Sequence, residues 1–311
     1  MITPTVVVAD PLPDRVLAGL GSRFTVRRCD GTDRAALLAA VADAEALIVR
    51  SATRVDRAVL AAAPRLRIVA RAGVGLDNVD VEAAAEAGVL VANAPESNVV
   101  SVAELTVGLI ISALRHIPAA AASVRAGQWR RADFQGTELY GRTVGILGFG
   151  RVGRLVAKRL AAFEMKIEYY DPYVPQEAAA PWGARAVGLG ELLRGADVLT
   201  VHLPLTAETR ELIGENELRL AKRDLLLVNT ARGGIVDEEA VARALAEGRI
   251  AGACLDVFAT EPSVPRDLLA LPSLLPTPHI GAGTAQAQLR AGEDAVSAVR
   301  EVLLPAARAV L

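Results

Sequence analysis

The chain has few cysteines and no excess of charge of either sign. Only Cys29 and Cys254 occur in 311 residues, far apart and outside any C-x-x-C spacing. The spacing of the cysteines therefore indicates neither a disulfide nor a metal site, and reduced thiols are the simpler interpretation. The 34 Lys and Arg residues are balanced by 36 Asp and Glu residues, and the formal net charge is −2. Proteins that bind nucleic acid or a membrane surface normally carry a basic excess, so this balance argues against both partners.

The sequence also lacks a segment typical of export or of membrane spanning. The N-terminus MITPTVVVAD has no basic region and too short an apolar run for a signal peptide. The longest apolar stretch, residues 99–114, contains Glu104 and is shorter than the roughly 20 residues that cross a bilayer. We therefore expect a soluble cytoplasmic protein in which this stretch is a buried helix.

Short runs rich in Val, Ile and Leu alternate with alanine-rich helical patterns along the whole chain. Near-continuous apolar strands separated by helices are typical of parallel sheets that are covered on both faces. The pattern predicts an α/β protein with two doubly wound parallel sheets, the first of about five strands and the second of about six. The strands are predicted at residues 5–10, 24–28, 46–51, 66–73 and 89–95, and then at 142–147, 166–171, 197–203, 224–230, 252–258 and 274–279.

Two further helices connect these units. Residues 97–115 are predicted to form one long helix that joins the first unit to the second. The segment after residue 283 has a helical pattern but no strand left to pair with. We therefore expect it to pack back onto the first unit.

A glycine-rich turn follows the predicted strand at 142–147. Gly148, Gly150 and Gly153 form the pattern G-x-G-x-x-G, with a helical pattern directly behind it. In this context the first glycine allows a tight turn, the second lets a pyrophosphate approach the backbone, and the third lets helix and strand pack closely. The N–H groups and the dipole of the helix N-terminus then favour the anion.

An acidic residue completes the dinucleotide pattern. Asp171 ends the next strand about 20 residues on, where a carboxylate would bind the adenosine ribose hydroxyls. An acid there favours NAD, because it would repel a 2′-phosphate. Arg151 inside the turn leaves some use of NADP open. A purely structural glycine turn is the alternative, and the order of strand, turn, helix and acid argues against it.

Polar side chains follow three successive strands of the second unit. Arg232 follows one strand, Asp256 and Glu261 lie at and after the next, and His279 ends the last. Ligands of open α/β sheets bind beyond the carboxyl ends of the strands. Histidine can accept a hydroxyl proton near neutral pH, a carboxylate can fix its tautomer, and arginine can hold a substrate carboxylate. We interpret His279 as the base, Glu261 as its partner and Arg232 as the anchor for a 2-hydroxy acid.

Each of these residues also has a plainer interpretation. A histidine after a strand is often a hydrogen-bonded structural residue, and His202 in TVHLP occupies such a position as well. His116, at the end of the long helix, is interpreted as structural. What distinguishes His279 is the set of Arg, Glu and His on successive strand ends beside a dinucleotide turn.

Six segments in order resemble the D-isomer-specific 2-hydroxyacid dehydrogenases over nearly the whole chain. They are RAGVGLDNVD, LGFGRVGRLVAKRL, ADVLTVHLPLTAETRELIG, NTARGGIVDEEAVARAL, LDVFATEP and TPHIGAGTAQAQ. The resemblance implies two Rossmann-like domains, with the NAD-binding domain at 98–283 inserted into a flavodoxin-like substrate-binding domain at 1–97 plus 284–311. It also implies a homodimer.

Carried over position by position, the resemblance supports the catalytic residues Arg232, Glu261 and His279 and adds cofactor and substrate contacts. The implied cofactor residues are Gly148, Gly150, Arg151, Val152, Gly153, Asp171, Leu203, Thr230, Ala231, Asp256 and Gly281. The implied substrate residues are Arg50 and Arg71 for a phosphate, and the backbone of Ala72, Gly73, Val74 and Gly75 for a carboxylate. Ordinary surface charges are the alternative for Arg50 and Arg71.

Within the family, LIVRSATRVD, RAGVGLDNVD and GTELYG are similar to members that oxidise D-3-phosphoglycerate to 3-phosphohydroxypyruvate with NAD. We expect that reaction, without the C-terminal regulatory domain of longer members. ESNVV at 96–100 and GAGT at 281–284 differ from the commoner sequence pattern of the family. Another D-2-hydroxy acid therefore stays open as substrate: hydroxypyruvate, glyoxylate or a phosphonate. An NAD-sensing corepressor-like binding protein is the alternative from another class.

Overall fold

The computed structural model describes residues 3–304. The chain divides into two units, Met1–Asn98 with Gly283–Leu311, and Val99–Ala282. In sequence, the second unit is therefore inserted between the two parts of the first.

The first unit contains a five-stranded parallel sheet in the order β2-β1-β3-β4-β5. Three of its helices have an aspartate as N-cap, whose side chain accepts backbone N–H groups of the first turn: Asp33 for α2, Asp56 for α3 and Asp80 for α4. The strands are β1 (Thr5–Val8), β2 (Thr25–Arg28), β3 (Ala46–Val49), β4 (Ile68–Arg71) and β5 (Leu90–Ala92). The helices are α1 (Asp14–Leu17), α2 (Arg34–Val41), α3 (Arg57–Ala61) and α4 (Val81–Glu86).

The second unit contains a seven-stranded parallel sheet in the order β12-β11-β10-β9-β6-β7-β8. Its central strands β9, β10 and β11 are buried at every position, as expected for a sheet with helices on both faces. The strands are β6 (Thr143–Leu147), β7 (Lys166–Tyr170), β8 (Ala184–Ala186), β9 (Val198–Val201), β10 (Leu226–Asn229), β11 (Gly252–Leu255) and β12 (Leu274–Pro276). The helices are α5 (Val99–Leu114), α6 (Ile117–Arg125), α7 (Arg151–Ala161), α8 (Gln176–Ala179), α9 (Leu189–Gly195), α10 (Glu215–Leu220), α11 (Glu238–Ala246) and α12 (Arg266–Leu269).

The last helix, α13 (Ala285–Leu303), belongs to the first unit. Thr284 caps it by accepting the N–H of Ala287. Its buried face, which includes Val296 and Val299, packs into the core with Val6, Ile48 and Ile68. The predicted return of this helix to the first sheet is confirmed.

The predicted fold class of two parallel α/β sheets is confirmed, with one strand more than expected. The additional strand, β8, has three residues and only Ala184 of them is buried, so it leaves no apolar run in the sequence. Most predicted strands end one to three residues too late, because the predictions include the first loop residues at the carboxyl edge, such as Asp10, Asp256 and His279. Among the described residues no single helix is long and apolar enough to cross a membrane; α5 and α6 pass that test only as a pair bent by 62°.

Candidate active site

The glycine turn between β6 and α7 has the geometry that a dinucleotide requires. Gly148 has a φ of +89°, and a Cβ added there would lie 2.6 Å from the carbonyl oxygen of His202. A Cβ on Gly153 would lie 2.2 Å from the carbonyl oxygen of Gly148. A Cβ on Gly150 would meet no atom within 4 Å. The outer two glycines therefore close the turn, and the middle one leaves its outer face open to a ligand.

The N-terminus of α7 lies at this open face. Gly150 is the N-cap residue and provides no side-chain hydrogen bond, so the turn offers backbone N–H groups to an anion. Arg151 in the first turn is exposed and Val152 is half-buried. The peptide groups of Phe149 are held on both sides: its carbonyl accepts from Arg154 Nε at 3.0 Å, and its N–H donates to Asp171 at 2.8 Å.

Asp171, directly after β7, is half-buried and joins this turn to the next loop. Its Oδ2 accepts the N–H of Phe149 and its Oδ1 accepts the N–H of Tyr173 at 2.9 Å. Each carboxylate oxygen has a further lone pair, so ribose hydroxyls can still donate to this side chain. The glycine turn, the helix N-terminus and Asp171 together fit NAD.

His279 and Glu261 form a close pair in the loops after β12 and β11. Nδ1 of His279 lies 2.7 Å from Oε2 of Glu261, and the two side chains are 48% and 35% exposed. Oε1 of Glu261 accepts the N–H of Phe258 at 2.9 Å. Because the carboxylate can only accept, the proton of neutral His279 is held on Nδ1. Nε2 is then the nitrogen that exchanges a proton with a substrate.

Asp256 organises the turn that carries His279. Its side chain is fully buried and accepts hydrogen bonds from the Thr277 hydroxyl at 2.6 Å and from the N–H groups of Ile280 at 2.9 Å and Gly281 at 2.8 Å. Its carbonyl accepts the N–H of His279, whose φ of 52° lies in the left-handed region. In this structure Asp256 supports the base, which sequence reasoning did not anticipate. Its predicted contact with the cofactor, like that of Gly281, stays a prediction.

Arg232 lies in a turn that Asn229 holds together. The buried Asn229 side chain donates to the carbonyl of Arg232 at 2.9 Å and accepts the N–H of Ala231 at 3.0 Å. Nη1 of Arg232 donates to the Ala231 carbonyl at 2.7 Å, which uses one of its five N–H donors. Beside this turn, the buried Thr230 shares a 2.8 Å hydrogen bond with Thr106 of α5. The role of the Asn229 side chain was not predicted, although the position of Asn229 at the strand end was a usable signal.

The other two histidines have different surroundings from His279. Nε2 of His202 lies 2.9 Å from the hydroxyl of the buried Thr200, and burial lowers the pKa of His202 to about 3. Leu203, the next residue, packs partly buried against the core near Gly148. His116 begins α6 in an exposed turn with a φ of 52°. The neutral His202 is unsuited to exchange a proton near neutral pH.

The predicted substrate residues lie in the first unit, directly after β3 and at the end of β4. The N–H of Arg50 donates to the buried Asp10 at 2.5 Å, and its Nη1 reaches the Pro11 carbonyl at 3.4 Å. Nη1 of Arg71 lies only 1.6 Å from the place where a Cβ on Gly73 would be. The guanidinium of Arg71 therefore lies directly on the backbone of Gly73, beside the half-buried Val74 and Gly75. Their substrate contacts stay predictions.

The second unit thus brings the predicted groups to one edge of one sheet. Arg232, Asp256 and His279 follow β10, β11 and β12, which are neighbours in the sheet, and the glycine turn follows β6. The model of the D-isomer specific 2-hydroxyacid dehydrogenase NAD binding domain matches residues 107–281. The chain belongs to this family. The match also confirms NAD as the cofactor of the second unit.

Relatives of the family resemble the whole chain. A D-3-phosphoglycerate dehydrogenase of Mycobacterium bovis is 53% identical over 303 residues, which are 97% of this chain and 57% of that protein. The chain thus spans a little over half the length of this relative. The TT0316 protein of Thermus thermophilus is 38% identical, with a TM-score of 0.87 and 96% of each chain covered. A glyoxylate reductase of Paecilomyes thermophila is 33% identical, with a TM-score of 0.87 and 97% and 95% covered.

Proposed function

We propose that the chain oxidises a D-2-hydroxy acid to the 2-oxo acid with NAD, and that D-3-phosphoglycerate is its substrate and 3-phosphohydroxypyruvate its product. The observation that carries this proposal is the 2.7 Å contact of His279 Nδ1 with Glu261, on the sheet edge that also presents Arg232 and the glycine turn. A base, its carboxylate partner and an anion anchor are the groups that this oxidation needs.

In the proposed mechanism, Arg232 holds the substrate carboxylate and polarises the oxygen on the reacting carbon. Nε2 of His279 removes the proton of the 2-hydroxyl group while the C–H bond at the carbon that bears this hydroxyl breaks. The glycine turn and Asp171 would hold NAD, which would supply the hydride acceptor. Glu261 stabilises the imidazolium that forms, and Asp256 and Phe258 keep the pair in place through the hydrogen bonds of their loops. In the reverse direction, protonated His279 returns the proton to the 2-oxo group.

Two observations support a phosphorylated substrate. The M. bovis relative carries the name D-3-phosphoglycerate dehydrogenase at 53% identity. In addition, Arg50 directly follows β3 and Arg71 is the last residue of the neighbouring strand β4, where the family resemblance predicts a phosphate. The glyoxylate reductase at 33% identity favours a second candidate, reduction of glyoxylate or hydroxypyruvate. The homodimer and the cytoplasmic location remain predictions from the resemblance and the sequence.

The first experiment measures NADH formation with D-3-phosphoglycerate, D-glycerate, D-lactate and 2-hydroxyglutarate, and NADH consumption with hydroxypyruvate and glyoxylate. We expect turnover of phosphoglycerate well above that of the other acids. Preferred turnover of glyoxylate or hydroxypyruvate would retain the mechanism and replace the substrate. NAD binding without turnover of any acid would favour the corepressor-like binding protein.

Replacing Arg50 tests the phosphate assignment within the same panel. Arg50→Ala should raise KM for D-3-phosphoglycerate by roughly tenfold or more, since a charge-assisted hydrogen bond contributes about 1.5–3 kcal/mol, and should leave KM for D-glycerate little changed. Arg57→Ala is the matched control, because Arg57 is exposed on α3 and pairs with Glu86 of the same unit. Equal effects of Arg50→Ala on both acids would reject the phosphate contact.

A further inference from the structure

Three segments of the NAD-binding unit meet at the backbone of Phe258 and Ala259. The N–H of Phe258 donates to Glu261 at 2.9 Å, and the N–H of Ala259 donates to Oε1 of Glu238 at 2.5 Å. A Cβ added to Gly233 would lie 1.9 Å from the carbonyl carbon of Phe258. The loop that carries Glu261 is therefore held by the first residue of α11 on one side and by the turn after Arg232 on the other.

Glu238 is half-buried in this arrangement. Burial raises the pKa of Glu238, the hydrogen bond from Ala259 opposes this, and the charges of Glu261 and Asp237 raise the pKa further. Glu238 and Glu261 thus interact electrostatically, and they accept neighbouring N–H groups of the same loop. Its neighbour Glu239 is different, because the side chain of Glu239 is 90% exposed.

Glu238 is connected to the base through the loop. Nδ1 of His279 contacts Glu261, Glu261 lies in the 258–261 loop, and the middle of that loop donates a hydrogen bond to Glu238. A loop held in this way keeps Glu261 within hydrogen-bonding distance of the imidazole.

We propose that Glu238 is a positioning residue that fixes the 258–261 loop, so that Glu261 stays on Nδ1 of His279. The proposal rests on the proposed function for its catalytic meaning. The structural claim concerns the cofactor-free protein and can be tested without turnover.

Two substitutions separate the hydrogen bond from the charge. Glu238→Gln removes the charge and keeps an oxygen that can accept the N–H of Ala259. Glu238→Ala removes both. Glu239→Gln removes one charge from the same helix turn at an exposed position and serves as the control. Helices α10 and α12 pack against α11, and all variants keep their charged residues, so these charges do not differ between the variants. They are Glu215, Glu217, Arg219, Arg266 and Asp267.

The decisive measurement is ¹⁵N NMR of the histidine rings in the cofactor-free protein at alkaline pH, which reports the nitrogen that carries the proton. The chain has only three histidines, and the His279 signal is assigned by its loss in His279→Gln. In wild type, Glu238→Gln and Glu239→Gln, the proton of the His279 ring should lie on Nδ1, because Glu261 still accepts it. Glu238→Ala should release the loop and increase the fraction of rings that carry the proton on Nε2. An unchanged fraction in Glu238→Ala would overturn the proposal.

Kinetics give a second test. Glu238→Ala should lower kcat roughly tenfold or more, since small displacements of a catalytic group are costly, with unchanged affinity for NAD. Glu238→Gln should retain most of the wild-type kcat, because its amide oxygen can still accept the N–H of Ala259. Wild-type kcat in Glu238→Ala would overturn the positioning role. If the wild-type chain oxidises none of the acids, the proposed function fails while the NMR measurement still decides the role of Glu238.

Discussion

Glu261 holds two groups at once: its Oε2 lies 2.7 Å from Nδ1 of His279, and its Oε1 accepts the N–H of Phe258 at 2.9 Å. The backbone bond fixes the carboxylate, and the carboxylate fixes the imidazole. Only an acceptor at Oε2 keeps the proton of neutral His279 on Nδ1 and leaves Nε2 as the base.

Glu261→Gln is therefore expected to impair catalysis through the tautomer of His279. If the amide oxygen keeps the bond from Phe258, the amide nitrogen faces Nδ1 and can only donate. Neutral His279 then carries its proton on Nε2 and cannot act as a base there. We expect kcat to fall by roughly 10²–10⁴, the range of general acid–base catalysis, with NAD binding retained. Steady-state kinetics and NAD titration check this, and a kcat within threefold of wild type (about 0.7 kcal/mol) would contradict it.

Asp171 has a structural role and a predicted ligand role that two variants can separate. Asp171→Asn keeps one oxygen that can accept the N–H of Phe149 or of Tyr173, whereas Asp171→Ala keeps neither. Loss of the charge should raise the Kd for NAD and improve the relative affinity for NADP in both variants, by roughly tenfold for a lost charge-assisted hydrogen bond. Fluorescence titrations with both cofactors measure this. An unchanged ratio of the two Kd values would mean that Asp171 does not contact the ribose.

Two glycines of the same turn should respond differently to alanine. Gly153→Ala places a Cβ 2.2 Å from the Gly148 carbonyl oxygen, so helix and strand must separate. We expect a loss of about 1–3 kcal/mol in the free energy of unfolding. Gly150→Ala meets no protein atom within 4 Å and should leave this free energy little changed while weakening NAD binding. Urea unfolding and NAD titration of both variants check the contrast, and tight NAD binding by Gly150→Ala would contradict the predicted approach of the pyrophosphate.

His202 should make the folded state sensitive to mild acid. Burial lowers the pKa of His202 from its usual 6.5 to about 3 in the folded protein. Between these values the unfolded chain binds a proton that the folded chain does not. The contribution of His202 to the free energy of unfolding is therefore fully present above pH 6.5 and is lost as the pH decreases towards 3. The contribution approaches about 1.4 kcal/mol per pH unit.

In His202→Asn the free energy of unfolding should therefore fall less steeply between pH 6 and 4. The difference in slope should be roughly the contribution of one histidine. Urea unfolding at several pH values measures the two slopes. His116→Asn is the control, since His116 lies in an exposed turn with a positive φ that asparagine tolerates. Parallel curves for wild type and His202→Asn would show that His202 does not control this pH dependence.

Much of the candidate site was predictable because parallel strands all present their carboxyl ends at one edge. Once strands are placed before Arg232, Asp256 and His279, these residues must lie on the same side of the sheet. The glycine turn was predictable because its spacing follows from the sterics of one short segment. The edge strand β8 was not, since three residues with one buried side chain carry no clear period.

By itself the sequence determined the two parallel sheets, the dinucleotide turn with its acid, and the chemical groups at the strand ends, because these depend on local periodicity and on the direction of the strands. Only the tertiary structure decided how the loops interlock: Asp256 supporting the turn of His279, Asn229 closing the turn of Arg232, and Glu238 binding the loop of Glu261. These contacts join segments that are separate in sequence, through single backbone groups in irregular loops. No local pattern of residues encodes which of those groups will meet.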